Sequence, residues 1–256
     1  MADSPWKLQP ANERLLPLLE DWFKNEPGKS ILAAEQELID QFLNNCFGYH
    51  LLQLSVSRDV TLFEGCRVQS RYRCHPLGNN DAQCEFDQLP IATDSLDAVI
   101  LHHAHEFVAN PHRVLREMNR VIVPHGHLII VGFNPWSFLG VFSALARRST
   151  QSMWHNHLLS TRRMEDWLSL LGFQINNIHY GFHGLPIKKH GLLSRFFPSV
   201  ANPWVRNWPF GSCYIISAIK EQATIIPTKP RWHIPARRFA GLTPVKPTAS
   251  SSRRPH

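Results

Sequence analysis

The sequence lacks any long apolar run, although 43% of its 256 residues are hydrophobic. No stretch approaches the roughly 18 consecutive apolar residues that a membrane-spanning helix needs. Its first residues, MADSPWKLQP, also lack the basic-then-apolar layout of a signal peptide. We therefore expect a cytoplasmic protein without a transmembrane segment. The length suits one sizeable α/β domain, alone or with appendages.

Cysteine is scarce, and its arrangement gives no metal or disulfide pattern. The five cysteines are Cys46, Cys66, Cys74, Cys84 and Cys213. Their number is odd, and no two of them stand in a CxxC motif. Such usage indicates neither a disulfide framework nor a thiolate zinc site.

Acidic residues are absent from the end of the chain. From Gln222 onward there is no Asp or Glu, whereas residues 1–221 hold 20 basic and 20 acidic side chains. The tail therefore carries the whole net charge of +7. Its basic residues are Lys229, Arg231, Arg237, Arg238, Lys246, Arg253 and Arg254.

The composition of this segment, rich in Pro and Ser, predicts a disordered basic tail over residues 222–256. Two interpretations remain open for it. The tail is a solvated segment without a role, as blocks of like charge often are. Otherwise it is a weak electrostatic tether to nucleic acid or to an acidic membrane surface.

The body of the chain alternates between helical and strand patterns. Apolar residues at helical spacing predict helices near 30–48, from Pro111 to about Val121 with Asn110 as N-cap, and near 160–172. Apolar runs predict strands at 50–56, 127–133, 173–182 and 212–221, with a short one around Cys66 to Cys74. Arg113 and Glu117 are expected to pair one helical turn apart. The alternation indicates a parallel sheet with crossover helices.

A connected series of motifs runs from Cys84 to Ser137. Its members are Glu85, Leu89-Pro90, Leu96-Asp97, His102-His103, Pro111 with Leu115, Glu117 and Arg120-Val121, then Pro124-His125-Gly126 and Leu128 to Val131. In order and spacing the series resembles the class I S-adenosylmethionine-dependent methyltransferases, in particular the methyltransferase type 11 group. The resemblance implies a Rossmann-like α/β fold over residues 1–221. Such a fold has a seven-stranded sheet, helices on both faces and an antiparallel last strand.

The resemblance also implies S-adenosyl-L-methionine as cofactor, bound across the carboxyl ends of the strands. Glu85 matches the acid that receives the adenine amino group, and a carboxylate is a suitable acceptor for it. Phe86 would offer its backbone N–H and an apolar face to the adenine ring. His102 matches the residue after the fourth strand that approaches the methionine half.

Glycine is missing where this family needs it most. The family's first strand leads into a D/E-x-G-x-G-x-G motif, whereas this chain reads LLQLSVSRD at residues 51–59. Gln53 falls in place of the acid, and Ser55 and Ser57 in place of the first two glycines. Gln53 still accepts a hydrogen bond but cannot form an ion pair with the cofactor's ammonium. Serine is strained at positive φ and is accepted only where the loop keeps negative φ.

Two functions follow from this combination. The first is an S-adenosylmethionine-dependent methyltransferase acting on a small molecule. The second is an inactive binding or scaffold protein with the same fold, associated with nucleic acid through its tail. The segment 183–210, which breaks the alternation, mixes aromatic and basic residues. It suits either a cover for an apolar or anionic acceptor or simple closure of the core.

No catalytic residue can be assigned from the sequence. His102, His103 and His105 are candidate general bases near the strand ends. The HHAHE stretch at 102–106 also places His102 and Glu106 four residues apart. Metal motifs with that spacing need a helix face, whereas this segment leaves a strand, so we assign no metal.

Overall fold

The structure is a computed structural model that describes residues 10–78, 80–137, 158–182 and 211–221. The chain divides into two units, Met1–Ala223 and Thr224–His256, and every described residue lies in the first. The predicted insertion 183–210 and the predicted tail 222–256 lie outside the described residues.

Four helices and seven strands make up the described part. The helices are α1 (Pro10–Lys24), α2 (Glu26–Leu43), α3 (Pro111–Val121) and α4 (Thr161–Leu170), with a 3₁₀ turn at Ala104–Phe107. The strands are β1 (His50–Ser55), β2 (Ser70–His75), β3 (Ala82–Gln83), β4 (Leu96–His102), β5 (Ile122–Phe133), β6 (Phe173–Gly181) and β7 (Cys213–Lys220). No helix among these residues is long and apolar enough to cross a membrane.

The strands form one sheet in the order β3-β2-β1-β4-β5-β7-β6. The first five pair in parallel, and β7 runs antiparallel to both of its neighbours, β5 and β6. The predicted fold class is therefore confirmed. The carboxyl ends of β1, β2, β4 and β5 consequently meet at one edge of the sheet, which we term the carboxyl edge.

Alternation along the central strands sends side chains to two cores. On one face Leu52, Leu54 and Leu101 pack with residues of α3 and α4. On the other face Leu51 and Ile100 pack with residues of α2. Helix α1 contributes to a third cluster, with Phe23 packed near Val56 and Phe133 at the carboxyl edge. Helices thus cover both faces, and α1 lies over the edge where ligands bind in such folds.

The connection from β1 to β2 contains no helix, which departs from the predicted pattern of crossover helices. Residues 56–69 form a loop in which apolar side chains alternate with exposed ones. Val60, Leu62, Cys66 and Val68 are buried against the core that contains α2. The loop therefore covers this part of the sheet without a helix, through two turns.

Two local expectations are wrong. Arg113 reaches Asp87 at 3.3 Å, while Glu117 pairs with Arg120 at 2.6 Å, so the expected pair on α3 does not form. Cys74 and Cys84 are joined in a disulfide, with Cα atoms 5.9 Å apart, although cysteine usage indicated none. In both cases the partner comes from a neighbouring element of the fold, as Asp87 does for Arg113 and Cys84 for Cys74, so sequence spacing does not predict it.

Candidate functional site

The carboxyl edge brings together the ends of β1 and β4. Ser55, the last residue of β1, lies opposite His102, the last residue of β4. The Ser55 Oγ atom lies 2.8 Å from His102 Nδ1 and accepts a hydrogen bond from the Ser57 backbone N–H at 3.1 Å. All three residues are buried. The structure therefore brings these three predicted site residues into direct contact.

Gln53, by contrast, turns its side chain toward the loop that follows β1. Its Nε2 donates to the Val60 carbonyl at 2.7 Å, and its Oε1 accepts from the Leu62 N–H at 2.8 Å. The side chain is 1% exposed. Both ends of the amide are thus used to hold residues 60–62 against the end of β1.

The serines in the glycine positions carry no left-handed strain. Neither Ser55 nor Ser57 is among the described residues with positive φ. His103, immediately before the 3₁₀ turn, adopts a positive φ of 55°. This conformation costs a non-glycine residue about 1 kcal/mol or more. The surroundings of His103 must offset that cost.

Those surroundings form a buried cluster of Glu35, His102, His103 and Glu106, which we term the His–Glu cluster. Glu35, from α2, faces His102 Nε2 with Oε2 at 3.2 Å and His103 Nε2 with Oε1 at 3.0 Å. His103 Nδ1 faces Glu106 Oε2 at 2.9 Å, and Glu106 Oε1 accepts the Phe133 N–H at 2.7 Å. All four side chains are 1% exposed or less.

Burial and mutual charge shift the pKa values of this cluster. Burial opposes ionisation of Glu35, but His103 and His102 outweigh it and lower the pKa of Glu35 to about 2. Burial likewise opposes the charged form of His103, yet Glu35 and Glu106 raise its pKa to about 9. For His102, burial prevails and lowers the pKa. The cluster therefore holds an ionised Glu35 beside a charged His103.

His105 lies in the same turn but faces away from the cluster. Its Nε2 lies 3.1 Å from the Tyr214 hydroxyl. Burial, and then the charges of His103 and His102, lower the pKa of His105 to about 3. The three predicted base candidates therefore occupy three different environments.

A second charged contact links α1 to the loop after β1. Glu20 accepts from Arg58 Nε at 2.6 Å and Nη2 at 2.8 Å, and its Oε1 lies 3.3 Å from the Arg58 backbone nitrogen. His75, the last residue of β2, stands 4.0 Å from the same carboxylate. An acid is usual at the end of β2 in the family named above, and here a buried histidine occupies the place.

Glu85 and Phe86 lie just after β3. Glu85 is partly buried and forms an isolated bridge with Gln88. The Phe86 side chain is 2% exposed and meets the His75 ring edge-on at 6.2 Å. The Phe86 ring is therefore largely occupied by the core.

Sequence reasoning missed Glu35, Glu20 and Arg58. A signal for Glu35 was present, because Ile31, Glu35 and Leu38 share the helical spacing of the buried face of α2. An acid on an apolar face needs a buried partner. For Glu20 and Arg58 the pairing depends on how α1 lies over the edge, which the sequence pattern does not specify.

The chain is similar in sequence to a known domain family and to a bacterial protein. A family model described as a methyltransferase domain matches residues 48–130. The uncharacterised protein YafS of Escherichia coli strain K12 is 33% identical over 178 residues, which cover 68% of this chain and 73% of YafS.

Two solved structures illustrate the fold. A Thermotoga maritima S-adenosylmethionine-dependent methyltransferase, described as a possible histamine N-methyltransferase, has a TM-score of 0.59 at 17% identity, covering 82% of this chain and 99% of that one. The 4+2 cyclase SpnF has a TM-score of 0.51 at 16% identity, covering 85% of this chain and 97% of that one. At these identities the likeness concerns the fold alone.

Proposed function

This chain belongs to the class I S-adenosylmethionine-dependent methyltransferases, and on that premise we propose that it transfers the cofactor's methyl group to a small molecule. The observation that supports the proposal is the polar lining of the carboxyl edge. Ser55, Ser57 and His102 end β1 and β4 where open α/β sheets bind ligands. The cofactor supplies an electrophilic methyl group when bound, and the protein aligns the acceptor with it.

The donor set at the edge fits the amino-acid half of the cofactor. The Glu20 carboxylate accepts hydrogen bonds from the Arg58 guanidinium and lies near the Arg58 backbone N–H. In this position it has the chemistry of the cofactor's methionine carboxylate. In this proposal Arg58 holds that carboxylate after α1 withdraws Glu20. The serines keep the adjoining loop free of positive φ.

The proposal assigns the adenine amino group to Glu85 and leaves the general base unassigned. All four ring nitrogens of His102 and His103 face a protein partner. These two histidines therefore organise the edge and do not take a proton from the acceptor. An acceptor that needs no general base from them fits best.

Calorimetric titration of S-adenosylmethionine and S-adenosylhomocysteine into the full chain tests the proposal. We expect both to bind, and Glu85→Ala to weaken binding about 10- to 100-fold, because a hydrogen bond to a charged group contributes roughly 1.5–3 kcal/mol. The matched control is Asp87→Ala, whose carboxylate pairs with Arg113 at 3.3 Å. An unaltered affinity in Glu85→Ala would remove Glu85 from the site.

The second candidate is a methyltransferase-fold protein that binds a partner without catalysis. One observation favours it: Gln53, Ser55 and Ser57 already make hydrogen bonds within the protein. The fold likeness to the cyclase SpnF supports the idea that this architecture serves other functions. A folded protein that binds neither cofactor form would favour this candidate.

A further inference from the structure

We propose that Glu35, His102 and His103 form the binding site of a divalent transition metal, with Zn²⁺ as the best fit. Each residue offers one ligand atom, and these atoms lie within 4.8 Å of one another. The inference concerns the buried groups of this chain and does not depend on methyl transfer. It revises the sequence-based assignment of no metal, which considered only the spacing of His102 and Glu106.

The three residues have spacings that a tetrahedral site can accommodate, with one Glu35 oxygen facing each imidazole. Atoms that each lie about 2.0–2.1 Å from a tetrahedral zinc are about 3.3 Å from one another. Here the Glu35 oxygens lie 3.2 Å from His102 Nε2 and 3.0 Å from His103 Nε2. Two imidazoles and one carboxylate form a donor set that zinc favours, whereas calcium and magnesium prefer oxygen alone.

The outer contacts of both histidines have the form that metal-ligating histidines show. Such a ring turns its other nitrogen to a carboxylate, carbonyl or similar partner, which fixes its orientation and tautomer. Here His102 Nδ1 faces Ser55 Oγ at 2.8 Å, and His103 Nδ1 faces Glu106 Oε2 at 2.9 Å. Glu106 is itself held by the Phe133 N–H. The Nε2 atoms of both rings are thereby directed at Glu35.

The arrangement needs positive charge between its members. His103 lies between two carboxylates, with Glu106 Oε2 at 2.9 Å from Nδ1 and Glu35 Oε1 at 3.0 Å from Nε2. A neutral imidazole has one N–H, so its other nitrogen would turn a lone pair toward a carboxylate oxygen. Either a second proton on His103 or a metal ion removes this conflict. A single divalent ion meets all three ligands and balances the buried acid.

The site is buried and packed against aromatic rings. Glu35 comes from a helix and the histidines from a strand end, and all three are fully buried. Phe133 stacks on the His103 ring at 3.9 Å between centroids, and Phe23 lies 5.3 Å from His102. Aromatic packing fixes the ring orientations that coordination requires.

The decisive experiment uses untagged full-length protein. Chelator-treated protein is incubated with Zn²⁺, dialysed and assayed for bound metal by elemental mass spectrometry, and Co²⁺ is added separately for its absorption spectrum. We expect about one retained equivalent of zinc and a tetrahedral cobalt spectrum. Absence of both would mean that protons alone hold the cluster, and the proposal would be overturned.

Variants separate this site from surface histidines. Glu35→Gln and His103→Gln should weaken zinc binding by at least about 100-fold, whereas Glu106→Gln should weaken it about 10- to 100-fold with unchanged stoichiometry. His105→Gln is the control, because its Nε2 faces Tyr214. Unchanged zinc binding in Glu35→Gln and His103→Gln would assign the metal to another place.

Folding of each variant is checked by circular dichroism. If a cluster variant does not fold, the wild type decides the question through its thermal unfolding. Zinc added to metal-free wild type should raise the Tm, since a ligand that binds the native state stabilises it. No rise at saturating zinc overturns the proposal.

Discussion

At the scale of single residues, Gln53 has a different role from the acid it replaces. Its amide donates to the Val60 carbonyl and accepts from the Leu62 N–H at the same time. A carboxylate at neutral pH only accepts, so it could not make both bonds. The amide in place of the acid therefore allows this side chain to hold the loop after β1.

The substitution Gln53→Leu tests this role. It would leave the Val60 carbonyl and the Leu62 N–H buried without their partner, and each unsatisfied group costs about 1–3 kcal/mol. We expect the free energy of unfolding, measured with urea, to fall by about 2–4 kcal/mol. Gln83→Leu is the control, because its Nε2 donates to the Pro76 carbonyl from an exposed strand end. A loss no larger than in this control would mean that Gln53 does not hold the loop.

Also at this scale, Glu35 shows how a single buried acid can go unrecognised. It lies on the apolar face of α2, yet its partners His102 and His103 are 67 and 68 residues away in the sequence. The helical pattern predicts that Glu35 is buried. It contains no information on which strand end the carboxylate meets.

At the scale of secondary-structure elements, the most informative feature is the connection after β1. Fourteen residues, 56–69, join two parallel strands without a helix. Alternating apolar residues in this loop pack where a crossover helix would lie. Pro124 to Gly126, residues typical of a turn, lie within the continuous strand β5, at a shift of register against β4.

Helix α1 is held to this loop by Glu20, and the pH dependence of stability reports the contact. Burial raises the pKa of Glu20, but the hydrogen bonds and charge of Arg58 outweigh it, so the pKa lies below the usual 4.5. A lowered carboxyl pKa stabilises the native state above the usual pKa, and that stabilisation is lost as the pH falls below it. We expect Glu20→Gln to lower the free energy of unfolding by about 1–2 kcal/mol at pH ~7 and to flatten its acid-side decline.

Urea titrations at neutral and acidic pH measure this effect. Asp59→Asn is the control, because its ion pair with Lys24 at 2.9 Å is exposed and screened by solvent. An acid-side decline as steep in Glu20→Gln as in the wild type would contradict the expectation.

The same variant tests the proposed cofactor site. If Glu20 competes with the methionine carboxylate for Arg58, Glu20→Gln should bind S-adenosylmethionine about tenfold more tightly, whereas Arg58→Gln should bind it more weakly. Calorimetry on both variants makes the comparison. Unchanged affinity in both variants, with cofactor bound normally by the wild type, would place the carboxylate elsewhere.

At the scale of the whole molecule, charge is distributed unevenly along the sequence. Residues 1–221 are neutral overall, and residues 222–256 hold the excess of seven positive charges. Removal of residues after Gln222 should therefore abolish any affinity of the protein for nucleic acid or acidic vesicles. A full-length variant with these seven basic residues changed to Gln distinguishes the effect of the tail's charge on binding from the effect of its length.

Salt dependence provides the measurement for the tail. Each phosphate contact adds about 0.7–0.9 to the slope of log K against log salt concentration. The slope should flatten in both the truncated and the Gln-substituted chain. If binding and its salt dependence persist in both, the tail is not the contact.

The sequence alone established the α/β class, the family and most of the strands, whereas the short strand β3 and helix α1 were not predicted. Periodicity and capping are local properties, and the motifs from Glu85 to Val131 lie in one contiguous stretch. The seven-stranded sheet with its antiparallel β7 followed from that resemblance, whereas the strand order came from the structure. Likewise, Ser55, Ser57 and His102 meet because parallel strands end at a common edge.

Contacts between groups that are distant in the sequence became visible only in the folded chain. It joined Glu35 to two histidines, Glu20 to Arg58, and Cys74 to Cys84. The physical reason is that burial patterns specify which face of an element is covered, whereas a contact between side chains depends on the relative position of two elements. That position is set by packing of the whole core, and no short segment contains it.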